Sequence, residues 1–164
     1  MSAENFGALC SSAGPEAMSN SNPHFLVIRL SSIGDIVHAL PAVAALGDAF
    51  PEARIDWLIE QRHAPLLHGN PYINRVLKLD TLSWRKDLFS PATLEQIAGT
   101  GKALRQEAFD AAIDFQGLLK SAFLARLSHS HLRVGFSEYW SREPLAGIFY
   151  SDHVSPLGRR HIIE

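Results

Sequence analysis

The chain has 164 residues, 46% of them hydrophobic, with a formal net charge of -2 and one cysteine. That length holds one domain with a sizeable core. The charge balance argues against a broad nucleic-acid footprint, one cysteine excludes an internal disulfide, and no apolar run approaches the roughly 20 residues that span a bilayer.

Residues 1–22 (MSAENFGALCSSAGPEAMSNSN) are rich in Ser, Ala, Asn and Gly and lack the basic start and apolar core of a secretory signal. They predict a disordered tail, with Met18 as an alternative start and Cys10 without a role. Phe25–Leu30 (FLVIRL) reads as a central strand covered on both faces. The tight loop Ser31-Ser-Ile-Gly-Asp35 follows. A helix is predicted over 36–49, about 21 Å long. Pro41 cannot donate to residue 37, which predicts a bend there or a start later than Asp35.

Arg54–Glu60 is the second predicted strand, Gln61–His68 a short helix and Arg75–Leu79 the third strand. A polar, basic-aromatic connection runs over 80–90. A helix is expected over Pro91–Glu107, a fourth strand over Phe109–Phe115 and an apolar helix over Gly117–Leu127. Short elements follow at Arg133–Phe136, Glu143–Tyr150 and His153–Ser155. Strands alternating with helices predict an α/β fold, a Rossmann-like, mostly parallel sheet flanked by helices.

Ligands in such folds gather where strands end at their carboxyl side. Asp35 stands at the first such end and fits two roles. As a helix cap, it would pair with Ser32 three residues earlier. As a general base, it would point into a cleft where Ser31, Ser32 and the bare backbone of Gly34 approach a ligand. A helix start stabilises a carboxylate by only about 0.3–1 kcal/mol. Asp35 would therefore be a weak base, taking a proton as a new bond forms. A GxGxxG fingerprint, a Walker A loop and an HExxH zinc motif are all absent.

Three further segments carry candidates. Trp84-Arg85-Lys86 follows the third strand, and its cations suit a phosphorylated or carboxylated sugar; a solvated loop with Trp84 folded back on the sheet is the plainer alternative. Asp114-Phe-Gln-Gly-Leu-Leu-Lys-Ser121 is a second strand-to-helix junction, in which Gly117 permits the turn and Gln116, Lys120 and Ser121 could face the same cleft. Arg142, in Ser141-Arg-Glu-Pro144, could cross its mouth, or merely form a surface pair with Glu143.

Together, VIRLSSIGDIVHALPAV (27–43), IDWLIE (55–60), SWRKDLFS (83–90), FDAAIDFQGLLKSAFLARL (109–127) and SREPLAGIFY (141–150) resemble the lipopolysaccharide heptosyltransferases of glycosyltransferase family 9. SSIGD is shared across that family. Its combination with WRK, DFQGLLKSA and REPLA resembles the type I enzymes of the inner core.

The resemblance implies a GT-B enzyme, with two Rossmann-like domains facing a cleft. On that basis residues 1–22 are a tail, 23–158 the acceptor-binding domain and 159–164 the start of an interdomain linker, with the donor-binding domain beyond this chain. It implies transfer of L-glycero-D-manno-heptose from ADP-heptose to a Kdo residue of Kdo2-lipid A, with inversion and with no metal or other cofactor. Asp35 matches the family's base. Arg85, Lys86, Lys120 and Arg142 match its basic acceptor-side residues, although Leu82 or Ser83 stands at the first position of that basic cluster. A cytoplasmic monomer docked peripherally on the inner membrane face is implied, inactive as this half alone. The alternatives are heptosyltransferase II or another family member with a different acceptor, and a non-enzymatic flavodoxin-like binding module.

Overall fold

The computed structural model describes residues 22–81, 84, 87, 90–137, 141 and 143–155. The expectations for residues 1–21 and for Arg85, Lys86, Arg142 and 159–164 lie outside these residues. In chain order the elements are β1 (His24–Ile28), α1 (Ile33–Ala49), β2 (Arg54–Glu60), a 3-10 turn (Gln61–Leu67), β3 (Arg75–Leu79), α2 (Pro91–Gln106), β4 (Ala111–Asp114), α3 (Leu119–Leu127), β5 (Leu132–Phe136), a second 3-10 turn (Pro144–Phe149) and β6 (Asp152–Val154).

The strands form one sheet of order β3-β2-β1-β4-β5-β6. Every pairing in it is parallel. β1 is central and wholly buried, which its unbroken apolar run requires. Alternation sorts its side chains. Phe25 and Val27 pack with Ile55, Trp57 and the α1 residues Ile36, Val43 and Leu46 on one face. Leu26 and Ile28 pack with Leu58, Leu104 from α2 and Leu124 from α3 on the other. Each such side chain stabilises the fold by about 1.5–3 kcal/mol relative to exposure.

α1 starts at Ile33, earlier than the sequence pattern suggests, and runs through Pro41 to Ala49. The late start is thus excluded. Pro41 and Val37, whose carbonyl it leaves without a helical donor, are both exposed. α2 is capped by Ser90, whose hydroxyl accepts the Thr93 N–H at 3.1 Å, with Pro91 in the first turn.

The strand order sets where a site can form. The chain winds outward from β1 to β3, then returns to place β4 on the other side of β1. The loops after β1 and β4 therefore leave in opposite directions and open a crevice between them. This is the topological switch point of a doubly wound sheet.

Candidate active site

Both junctions singled out in the sequence flank that switch point. The β1–α1 loop holds Ser31, Ser32, Gly34 and Asp35. The β4–α3 loop holds Gln116, Gly117 and Lys120.

Asp35 occupies the first turn of α1 and is partly exposed. Its Oδ2 accepts the Ser32 N–H at 3.2 Å and the Ser32 hydroxyl at 3.1 Å, and meets an Arg29 guanidinium nitrogen at 2.5 Å. Among the described residues nothing hydrogen-bonds to Oδ1. The cap geometry is thus present, yet it occupies one oxygen only. Partial burial pushes the carboxyl up, but the Ser32 N–H and the Arg29 charge outweigh it and hold Asp35 below the usual aspartate range.

Ser31 is half-buried and joined to Ser32 by a cis peptide bond. Gly34 is exposed, and a Cβ there would meet nothing within 4 Å among the described residues. The fold itself does not demand glycine at that position. His38, one turn further on, is also exposed.

On the other side of the crevice Gln116 is buried. Its Oε1 accepts the Leu30 N–H at 2.8 Å, which staples the ends of β1 and β4 together. Only its amide NH2 remains for a ligand. Lys120 is half-buried near the start of α3 and already engaged within the protein. Ser121 is fully buried and accepts the Leu118 N–H at 3.2 Å, so it shapes the helix start rather than facing a cleft.

Gly117 has φ +66°, and a Cβ there would lie 3.3 Å from Ser141 Oγ. Its carbonyl accepts the Ser141 hydroxyl at 2.8 Å, and Glu143 Oε2 accepts the Leu119 N–H at 2.6 Å. Ser141 and Glu143 are therefore both docked on the second junction. Gly117→Ala should destabilise the chain by about 1–2 kcal/mol, the cost of a left-handed conformation for a residue with a Cβ. A urea melt compared with wild type measures it.

Asp114 ties this side together. Its Oδ1 accepts the Gln116 N–H at 2.7 Å, and its Oδ2 the Tyr150 hydroxyl at 2.7 Å. Burial pushes its carboxyl up despite these donors, and burial beside Asp114 pushes the Tyr150 phenol up too. A raised acid favours the folded state fully at low pH, and that stability is lost as pH rises through the folded pKa. Asp114→Asn should remove this slope. Urea midpoints from pH 4 to 8 should shift in the variant's favour relative to wild type as pH rises.

The third segment is seen only in part. β1, β2 and β3 are parallel neighbours, so the loop after β3 opens on the same edge as Asp35. Trp84 packs against the α2–α3 side of the core and donates its indole N–H to Gln96 at 3.1 Å. It covers the sheet.

Among the described residues no group of three or more His, Cys, Asp and Glu could hold a metal ion, and no helix is long and apolar enough to cross a membrane. Two grooves of about 410 and 420 Å³ lie away from the junctions. One is lined by Leu94, Gly101 and Leu127, the other by Gly47, Phe50 and Tyr72.

Two features went unassigned in the sequence. Arg29 stands at the end of an otherwise apolar strand, and a charge there demands a partner. Tyr150 gave no signal, because its bond to Asp114 joins residues 36 positions apart.

A doubly wound sheet with a carboxylate beside its switch point defines a Rossmann-like ligand-binding domain. The family model for glycosyltransferase family 9 (heptosyltransferase) matches residues 97–164. Lipopolysaccharide heptosyltransferase 1 of Escherichia coli K12 is 35% identical over 140 residues, 85% of this chain and 44% of that protein. The structure of E. coli heptosyltransferase WaaC with ADP superposes with a TM-score of 0.75 at 34% identity, covering 84% of this chain and 43% of that one. E. coli ADP-heptose LPS heptosyltransferase II gives a TM-score of 0.55 at 25% identity over 69% of this chain and 30% of that one.

The chain belongs to glycosyltransferase family 9, the heptosyltransferases. It spans less than half the length of the curated relatives it matches, and its fold is that of the N-terminal Rossmann-like domain of the GT-B heptosyltransferases.

Proposed function

We propose that this chain is the acceptor-binding half of a type I heptosyltransferase. That enzyme moves L-glycero-D-manno-heptose from ADP-heptose to a Kdo hydroxyl of Kdo2-lipid A, with inversion and without a metal or other cofactor. The observation that carries the reading is the Asp35 carboxylate at the switch point, with Oδ2 anchored and Oδ1 open. The greater likeness to the heptosyltransferase 1 relatives supports type I over type II.

In this reading the acceptor hydroxyl attacks the anomeric carbon from the face opposite the diphosphate. Its proton passes to Asp35 Oδ1 as the new C–O bond forms. The bond to the diphosphate breaks, and ADP leaves with the electron pair. ADP is already stable as an anion, so the site needs no strong acid. An ionised carboxylate of low basicity suits this late, concerted proton transfer, which contributes about 10²–10⁴-fold to the rate.

Lys120 is assigned to acceptor binding together with Arg85, Lys86 and Arg142, which carry the cations for its anionic groups. Ser31, Ser32, Gly34, Gln116 and Gly117 form the walls. The site lies at the carboxyl ends of the central strands, and a facing donor domain would close it. We place the enzyme in the cytoplasm, a monomer docked peripherally on the inner membrane surface where a lipid acceptor is presented.

The test is transfer of labelled heptose from ADP-heptose by the full-length gene product. Kdo2-lipid A should be glycosylated. Activity only on an acceptor that already carries one heptose would move the protein to the second-heptose class, and binding of either acceptor without transfer would favour a binding module.

A further inference from the structure

We propose that Arg29 is a positioning residue for the base. Together with Ser32, it pins Asp35 Oδ2 so that Oδ1 is the atom that receives the proton. This rests on the assignment of Asp35 as the base and names a residue that the motif itself leaves without a role.

Arg29 is held at its backbone and at both terminal guanidinium nitrogens. It is buried, in the residue directly after β1. Its N–H donates to the Leu58 carbonyl at 3.2 Å, and its own carbonyl accepts the Trp57 indole N–H at 3.1 Å. Trp57 is fully buried. The start of the side chain is thereby fixed against the core. At the far end one guanidinium nitrogen donates to the Phe115 carbonyl, at the carboxyl end of β4. The other meets Asp35 Oδ2 at 2.5 Å. The planar fork spans both sides of the switch point, with one prong on each junction.

Geometry then decides which oxygen is reactive. Three donors converge on Oδ2: the Ser32 N–H, the Ser32 hydroxyl and the Arg29 guanidinium. An oxygen so engaged is a poor proton acceptor. Oδ1 shares the charge and carries no protein hydrogen bond among the described residues. A carboxylate on a free rotor would present either oxygen; this one presents one. The arrangement also keeps Asp35 ionised, because the Arg29 charge opposes the effect of its partial burial. A lysine could supply the charge but not both prongs of the fork.

The test has two arms. In the 164-residue chain, the Asp35 carboxyl is titrated by carbon-detected NMR in wild type, Arg29→Gln and Arg29→Lys. The midpoint should rise in Arg29→Gln and return part of the way in Arg29→Lys. If Arg29→Gln does not fold, Asp35→Asn read at the Arg29 guanidinium protons of the same chain gives the reciprocal evidence, and those protons should then exchange faster. An unmoved midpoint, or unmoved exchange, overturns the coupling whatever the enzyme's substrate.

In the full-length gene product, kcat should fall in Arg29→Lys with KM little changed, and the acid limb of the kcat profile should move to higher pH. A merely structural arginine would lower the melting temperature and leave that limb in place, which would overturn the positioning role. Loss of the limb shift with the NMR coupling intact refutes positioning alone. Absence of heptose transfer in wild type refutes the functional assignment alone.

Discussion

Asp35→Asn should lower heptose transfer by about 10²–10⁴-fold while the chain still folds. The amide has the shape of the carboxylate and can still accept the Ser32 N–H, so the first turn of α1 keeps its cap. What it cannot do is take a proton at neutral pH. It also removes the negative charge opposite the buried Arg29 cation, so a modest loss of stability should accompany the loss of rate. The sign of its pH dependence is fixed. A lowered carboxyl contributes stability that is present above its unfolded pKa and is lost as pH falls through the folded one. The stability gap between wild type and variant should therefore close in acid. Transfer at saturating substrate and a urea melt at pH 7 and pH 3 measure both effects. Undiminished transfer in the variant would return Asp35 to a purely structural cap and leave the family assignment untouched.

How much of this was legible in the sequence depends on the range over which each interaction acts. The β1 pattern is local and unambiguous, because six apolar-rich residues can hardly be anything but a covered strand. Its end was placed at Leu30, whereas the strand stops at Ile28; Arg29 and Leu30 still hydrogen-bond to neighbouring elements, so an apolar count cannot see the boundary. Likewise Phe109 and Phe115 flank β4 without belonging to it. The start of α1 was hidden by Pro41, whose rule concerns a missing donor but not whether water can satisfy the freed carbonyl. Asp35 and Gly117 were legible because each stands at a strand-to-helix junction. Their meeting at one crevice was not, since it depends on β4 returning beside β1, a pairing across more than eighty residues. The same holds for Arg29. Its charge was visible and Asp35 is local to it, but its contact with the Phe115 carbonyl follows only from the strand order.

The largest stability effect should come from the opposite end of the sheet, at Asp56. This residue is fully buried on β2. Its Oδ2 accepts from His24 Nε2 at 3.0 Å and from Arg75 at 2.7 and 3.1 Å. Arg75 reaches on to Glu107 at 2.6 Å. The Glu107 and Asp56 carboxylates hold the Arg75 guanidinium above its ordinary value, and Arg75 in turn lowers Glu107. Among the described residues Oδ1 of Asp56 is buried without a hydrogen-bond partner, so the carboxylate's desolvation is only partly offset by its pairs. The net worth of the cluster is accordingly small, yet breaking it is costly. Removing one partner of a buried pair typically costs about 3–5 kcal/mol, because the charge left behind has no counterpart. Arg75 is 40% exposed at its side chain and can swing toward water or Glu107, whereas His24 is walled in against Phe109. Asp56→Ala should therefore fall near the lower figure, about 3 kcal/mol, a large share of the 5–15 kcal/mol that a domain possesses. A shift of that size in a urea melt checks it. Replacing Asp56 and His24 together by apolar residues should recover part of the loss, since the orphaned partner is then gone. Asp56 lies near the amino ends of the strands and Asp35 beyond their carboxyl ends, so the Asp35 midpoint should not move in Asp56→Ala. A midpoint that did move would mean that the two ends of β1 are energetically coupled, and the effects at Arg29 could not then be assigned to its contact with Asp35.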